Sequence, residues 1–314
     1  MLGDIQFSDI YLGEGASWLS GIPGTLDPVP APAHTLDELK RLRALCEEQV
    51  KQSKRGEFAI RMDGTAYRAS IIHSMNEEVF VLRRFPEKVP DIETLNLHPG
   101  VIQKLMEPGM TGLVVVSGAY GQGKTTTVSS LIKARLSKFG GVAVTIEDPP
   151  EMPLEGRHGE GVCYQTWVEQ GGFGQACRQA ARWAPSIIFL GEVRDDESAS
   201  EALRASINGR LVICTTHADN VVATVERLYS LSNGVAGNSE DVASLLSQGL
   251  TAIINQKLTG EKEKRPKLEF LFLKGDDEAY KGASNMIRMR RFEQLGSEIT
   301  LQANRMLSSF RSAA

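Results

Sequence analysis

Residues 113–127 read LVVVSGAYGQGKTTT: an apolar, β-branched run, then three glycines, a lysine and three threonines. The pattern Gly118-x-x-x-x-Gly123-Lys124-Thr125 is that of a phosphate-binding loop, which needs a buried strand before it and a helix after it. Each residue type has a physical reason. Glycines let the backbone curl so that successive N–H groups point at phosphate oxygens. The helix that follows adds the positive end of its dipole. Lys124 reaches the β- and γ-phosphates, and the Thr125 hydroxyl is placed for Mg²⁺. At average composition the pattern arises by chance in roughly one chain in a hundred of this length, before its strand and helix context is counted. The nucleotide-binding stretch is therefore Gly118, Ala119, Tyr120, Gly121, Gln122, Gly123, Lys124, Thr125 and Thr126.

The rest of the second half fits such a loop. GLVVVSG, GVAVTIED, PSIIFLGE and RLVICTTH are short, β-branched strands, alternating with helical stretches such as KTTTVSSLIKARLSK and DESASEALRASI. That alternation implies a mostly parallel sheet with helices on both faces. SEDVASLLSQGLTAIINQKL (239–258) reads as one long helix. The first half has a different texture: a strand in FSDIYLG, then a proline-rich loop at 21–34. An amphipathic helix follows over 35–52, with Thr35 and Glu38 at capping-box spacing and leucines at 36, 39, 42 and 45. The strands FAIRM, TAYRASIIHS and EEVFVLRRF complete it. The expected organisation is a small α+β domain over 1–88, a proline-bearing linker over 89–100, and a nucleotide-binding domain over 101–314.

Three further stretches carry chemistry. In SIIFLGEVRDDES (186–198) a buried strand runs into Gly191–Glu192, the position at which phosphate-loop proteins hold Mg²⁺ and the attacking water; a strand ending in a solvent-facing acid reads the same way in isolation. VTIEDPPEMP (144–153) gathers Glu147, Asp148 and Glu151, acids that repel one another unless a cation lies near. The alternative is an acidic turn stiffened by two prolines. CTTHADN (214–220) ends a strand on His217, which has the reach to sense a γ-phosphate, although a lone histidine is more often simply packed.

In this order GAYGQGKT, EDPPE, GEVRDDESA and TTHADN resemble the boxes of the type II/type IV secretion and type IV pilus ATPase superfamily, with the likeness running over about residues 65–260. The resemblance implies a small N-terminal α+β domain followed by a RecA-like phosphate-loop domain, ATP and Mg²⁺ as ligands, and a hexameric ring that moves an inner-membrane platform protein. It implies that Glu192 is the catalytic carboxylate and shares Mg²⁺ with Thr125. Glu147 would help polarise the water, supported by Asp148 and Glu151, and His217 would report the γ-phosphate. Arg68 and Arg83, or Arg84 one residue on, stand where the family supplies arginines to the nucleotide. There are departures. No C-x-x-C zinc insert is present, and the retraction motif A-I-R-x-G-[KR] is met only by MIRMRR (286–291), without its glycine.

Composition excludes several other classes. A net charge of −4 gives no reason to expect nucleic acid, and the basic runs KEKRPK and RMRR are short. Four cysteines without C-x-x-C spacing fit a reducing compartment. No apolar run nears the ~20 residues that span a bilayer. The expectation is a cytoplasmic protein, or one peripheral at the inner membrane. Beside an ATPase motor stand two other readings, a nucleotide-gated scaffold of the same machinery with little turnover, and a nucleic-acid translocase.

Overall fold

The computed structural model describes residues 2–26, 28–53, 56–168, 172–236, 239–260, 264–275 and 278–311. Lys262 and Glu263 of the basic run 262–267 therefore lie outside the described residues. The chain divides into two compact units, Met1–Glu87 and Lys88–Ala314.

The first unit holds strands β1 (Asp9–Leu12), β2 (Ser17–Ser20) and β3 (Val29–Pro30), helix α1 (Leu36–Ser53), and strands β4 (Glu57–Met62), β5 (Thr65–His73) and β6 (Glu78–Arg84). They form one antiparallel sheet in the order β3-β2-β1-β6-β5-β4. β4 alternates strictly between exposed and buried residues, the period of a strand with one wet face. On α1, Leu39, Leu42 and Cys46 are buried while Leu36 is exposed. The expected capping box does not form. The Thr35 hydroxyl donates to Pro32 O at 2.7 Å, and the Glu38 carboxylate accepts from Leu2 N at 2.8 Å. Pro32 initiates a 3₁₀ turn over Ala33–Thr35 that pulls Thr35 out of the capping position.

The second unit runs α2 (Pro99–Leu105), β7 (Gly112–Ser117), α3 (Lys124–Phe139), β8 (Gly141–Glu147), β9 (Gly156–His158), β10 (Gly161–Trp167), α4 (Phe173–Arg182), β11 (Ile187–Leu190), α5 (Asp196–Ile207), β12 (Leu211–Thr216), α6 (Val221–Ala236), α7 (Ser239–Gly249), β13 (Leu250–Thr259), β14 (Arg265–Phe272), α8 (Glu278–Arg288) and α9 (Leu295–Arg311). Its sheet has the order β14-β13-β7-β12-β11-β8-β10-β9. The six inner strands are parallel, and β14 and β9 are antiparallel edges. Alternate residues of β7 feed opposite cores. Leu113 and Val115 pack with α4 to α8, whereas Val114 and Val116 pack with α2 and α3. A strand covered on both faces must be apolar throughout, and for that reason LVVV does not alternate. Residues 89–100, expected as a linker, pack within this unit. Val89, Ile92 and Leu97 are buried, and Lys133 Nζ donates to Val89 O and Asp91 Oδ1, both at 2.8 Å.

The long helix expected over 239–258 is corrected. It stops at Gly249, and Leu250–Thr259 is β13, a central strand beside β7. Ile253 and Ile254 are both fully buried, one in each core, a need that a one-sided helix does not meet.

MIRMRR ends α8 in a Schellman turn, Arg291 N donating to Met286 O at 2.8 Å and Arg290 N to Ile287 O at 2.9 Å. Arg290, at φ 58°, fills the left-handed position where A-I-R-x-G-[KR] has its glycine. The turn persists although its preferred residue is missing. Arg290→Gly is expected to stabilise the protein by about 1 kcal/mol, because glycine adopts this conformation without the Cβ clash. Chemical denaturation of the two chains would measure it, and an equal or lower midpoint for the variant would refute it.

Candidate functional site

The site is built from the carboxyl ends of neighbouring parallel strands, where an open α/β sheet leaves a crevice. β7 is buried throughout and delivers the loop 118–123 to the start of α3. Gly118, at φ 148°, passes so close to β13 that a Cβ would lie 2.3 Å from Gln256 O. Gly123 caps α3 in the left-handed region with φ 75° and offers no side-chain cap, so the first-turn N–H groups of a 16-residue helix remain for an anion. Thr125 is the second residue of that helix. Thr126 Oγ1 lies 4.0 Å from Met152 Sδ.

The loop is braced from β13. Gln256, buried, accepts from Thr127 Oγ1 at 2.8 Å and donates through Nε2 to Gln122 O at 2.6 Å. Gln122 Oε1 accepts from Leu258 N at 2.6 Å. The side chain of Gln122 thus has a part in the loop beyond its backbone.

Lys124 is 8% exposed, and its Nζ donates to Gly118 O and Ala119 O, both at 2.9 Å. Burial lowers its pKa, while the negative charges of Glu192 and Glu151 pull it back up. His217, just past β12, lies with Nδ1 3.4 Å from Lys124 Nζ and Nε2 3.2 Å from Glu192 Oε1. An ammonium only donates, so Nδ1 accepts and the ring proton is assigned to Nε2, facing Glu192. Tyr120, 76% exposed, stacks on this ring at 6.3 Å and 18°. Glu192 Oε2 also meets Arg194 Nε at 3.4 Å. The loop lysine, the histidine, the carboxylate and Arg194 thus form one chain of contacts.

Glu147 is the last residue of β8 and 2% exposed. Gly191 N donates to Ile146 O at 2.8 Å, and a Cβ at 191 would meet Glu147 Cγ at 3.2 Å. Glycine before Glu192 therefore lets two acid-bearing strand tips lie side by side. Burial pushes the Glu147 carboxyl up to about 7, partly offset by the hydrogen bonds it accepts, one from Gln165 Nε2 at 2.9 Å. Glu151 acts electrostatically on both Lys124 and Glu147. Asp148 Oδ1 accepts from Trp167 Nε1 at 3.4 Å.

Arg68 and Arg83 belong to the first unit, on β5 and β6, directly opposite each other in the ladder. Arg83 Nε donates to Asp9 Oδ1 at 2.7 Å, and Arg68 lies 3.7 Å from Glu57. Arg84 is on the other face of the strand, over the Phe7 ring at 5.9 Å and paired with Glu87 at 3.3 Å. It is Arg83, not Arg84, that shares a face with Arg68.

Among the described residues no group of three or more His, Cys, Asp or Glu is arranged to hold a metal ion. The Thr125 hydroxyl and the Glu192 carboxylate, the pair expected to share Mg²⁺, are both oxygen donors. These hard donors suit Mg²⁺, which keeps most of its shell as water and phosphate oxygen rather than a protein cage. Sequence reasoning missed Gln165, Gln256 and Arg194. Only Arg194 had a signal, its place within GEVRDDESA.

A family model for type II/IV secretion system proteins matches residues 37–294. The twitching motility protein of Neisseria gonorrhoeae is 32% identical over 211 residues, 66% of this chain and 55% of that protein. The type IV pilus ATPase PilU of Pseudomonas aeruginosa is 30% identical over 263 residues, 80% of this chain and 66% of that protein. The chain therefore spans between about half and two thirds of the length of these relatives. Among solved structures, the pilus retraction motor PilT with bound ADP superposes with a TM-score of 0.79 at 27% identity, covering 95% of this chain and 87% of that one. The Legionella pneumophila ATPase DotB shares the fold with a TM-score of 0.71 at 22% identity.

Proposed function

Because the chain belongs to the type II/IV secretion system protein family, we propose that it is a Mg²⁺-dependent ATP hydrolase that drives a type IV pilus, secretion or conjugation apparatus. The observation that carries this reading is the contact chain Lys124–His217–Glu192 beside the phosphate loop. A protein that only bound nucleotide would need the loop and the lysine, but not two carboxylates on adjacent strand tips. In this reading the loop N–H groups and Lys124 hold the β- and γ-phosphates, and Thr125 and Glu192 hold Mg²⁺. The ion supplies charge neutralisation at the phosphates when bound. Glu192 and Glu147 orient the attacking water, and His217, once its Nδ1 carries a proton, exchanges its contact with Lys124 for a hydrogen bond donated to the γ-phosphate. Arg68 and Arg83 present a pair of positive charges to the nucleotide, a contribution of the kind worth ~10³–10⁵ in rate.

The working unit in this proposal is a hexameric ring at the cytoplasmic face of the inner membrane, acting on a membrane platform protein. No helix among the described residues is long and apolar enough to cross a membrane. Phosphate release from ATP with Mg²⁺, measured together with nucleotide affinity, tests the reading. Tight binding without turnover would favour a nucleotide-gated scaffold, and binding to DNA that weakens steeply with salt would favour a translocase.

The raised Glu147 carboxyl has a stability consequence with a defined sign. Its folded pKa of about 7 lies above the ordinary value of 4.5. Its contribution is fully present below pH 4.5 and is lost as pH rises through 7. Glu147→Gln is therefore expected to be more stable than the parent chain at pH 8, by up to roughly 3 kcal/mol, with no gain at pH 4. Its hydrolysis is expected to fall. Denaturant titrations at the two pH values would show the crossover, and a variant less stable at pH 8 would contradict it.

A further inference from the structure

Gln165 sits in the middle of β10, in register with Thr145 of β8. Its amide is used on both sides at once. Oε1 accepts from Leu154 N and Glu155 N, both at 2.7 Å. Nε2 donates to Met152 O at 3.0 Å and to Glu147 Oε1 at 2.9 Å. The partners settle which end is which, since two N–H groups require an oxygen and a carbonyl requires a nitrogen. Met152 and Leu154 are buried, and this side chain helps to fasten the far end of the segment that follows the acidic box, together with His158 on Leu154 O and the bond from Gln165 N to the Glu155 carboxylate. The same amide reaches the buried Glu147.

We propose that Gln165 is a positioning residue, which locks the Glu147 carboxyl and the 148–155 loop into a single arrangement for the hydrolytic step. The inference rests on the reading of the site given above. An amide serves here where an acid would not. A carboxylate keeps the two bonds to Leu154 N and Glu155 N, but has no proton for Glu147 or Met152 O and sets a second negative charge against the first. The other titratable groups facing Glu147 are Glu151 of the loop and Cys163 of β10. Glu151 adds a second negative charge, and the Cys163 thiol is only a weak donor beside an amide N–H. Glu192 stands on the adjacent tip and is engaged by His217 and Arg194.

Two variants separate a role at Glu147 from a role in the loop alone. Gln165→Leu removes all four bonds. Gln165→Glu keeps the bonds from Leu154 N and Glu155 N and loses those to Met152 O and Glu147. Both are expected to lower kcat for ATP by ~10- to 100-fold, the scale of a misplaced reacting group, with nucleotide Kd within about twofold of the parent. In a Glu147→Gln background, Gln165→Leu is expected to add less than about threefold, because the two residues act as one unit. Hydrogen–deuterium exchange of the nucleotide-free chain supplies a readout independent of turnover: faster exchange over 148–155 in Gln165→Leu, parental exchange there in Gln165→Glu. Parental kcat in Gln165→Glu overturns the proposal even if Gln165→Leu fails to fold. So does a full, additive loss in the Glu147→Gln background. A parent chain without turnover overturns instead the reading of the site, and is seen before any variant is made.

Discussion

Lys124→Ala is expected to abolish ATP hydrolysis and to weaken nucleotide binding by ~10²–10⁴-fold. The side chain is almost wholly buried in the loop and holds Gly118 O and Ala119 O. Those bonds pre-set the loop, and the ammonium is poised where phosphate charge would arrive. Two hydrogen bonds from a charged donor to phosphate oxygens are worth about 1.5–3 kcal/mol each, which gives the stated range. Lys124→Arg is expected to fail nearly as badly, since a planar guanidinium does not fit a cradle shaped for a point charge. Equilibrium titration with a fluorescent ATP analogue, alongside phosphate release, measures both effects. Parental affinity in Lys124→Ala would remove the loop from the nucleotide site.

The second large effect divides differently between binding and chemistry. Glu192→Gln keeps the shape of the side chain, and its amide oxygen still accepts the proton assigned to His217 Nε2. The charge is lost, and with it the capacity to order water and cation. kcat is expected to fall by ~10²–10⁴-fold with nucleotide affinity retained. Stability is expected to change by less than about 1 kcal/mol, because the ion pair with Arg194 is partly exposed and such pairs contribute little. A variant that traps ATP without hydrolysing it would also permit the nucleotide-bound assembly to be sized, as a test of the proposed ring. Hydrolysis at the parental rate would move the catalytic carboxylate elsewhere, with Glu147 the first candidate.

Much of the site was legible because its signals are local. The phosphate loop is contiguous, and Glu192 and His217 each stand at the end of an apolar run that could only be a buried strand. Strand tips in a parallel sheet converge, so separate boxes read along the chain become neighbours in space. The exceptions share a cause. The 239–258 stretch was misread because α7 and β13 adjoin at a single glycine, and partnership with β7, not local propensity, makes Leu250–Thr259 a strand. Thr35 and Glu38 had capping-box spacing, but Pro32 and the Leu2 amide claimed their hydrogen bonds.

The amino-acid order alone determined that a glycine-rich loop of phosphate-binding pattern joins an apolar strand to a helix, which acids and which histidine follow strand ends, and that a different, α+β unit precedes them. These depend on contacts within a few residues, whose spacing is written in the chain. The tertiary structure alone decided that Gln256 and Gln122 brace the loop, that Gln165 holds Glu147, and that Arg83 and not Arg84 faces with Arg68. An uncharged amide has no periodicity or charge to announce it. Its role exists only once strands distant in sequence are brought within hydrogen-bonding reach.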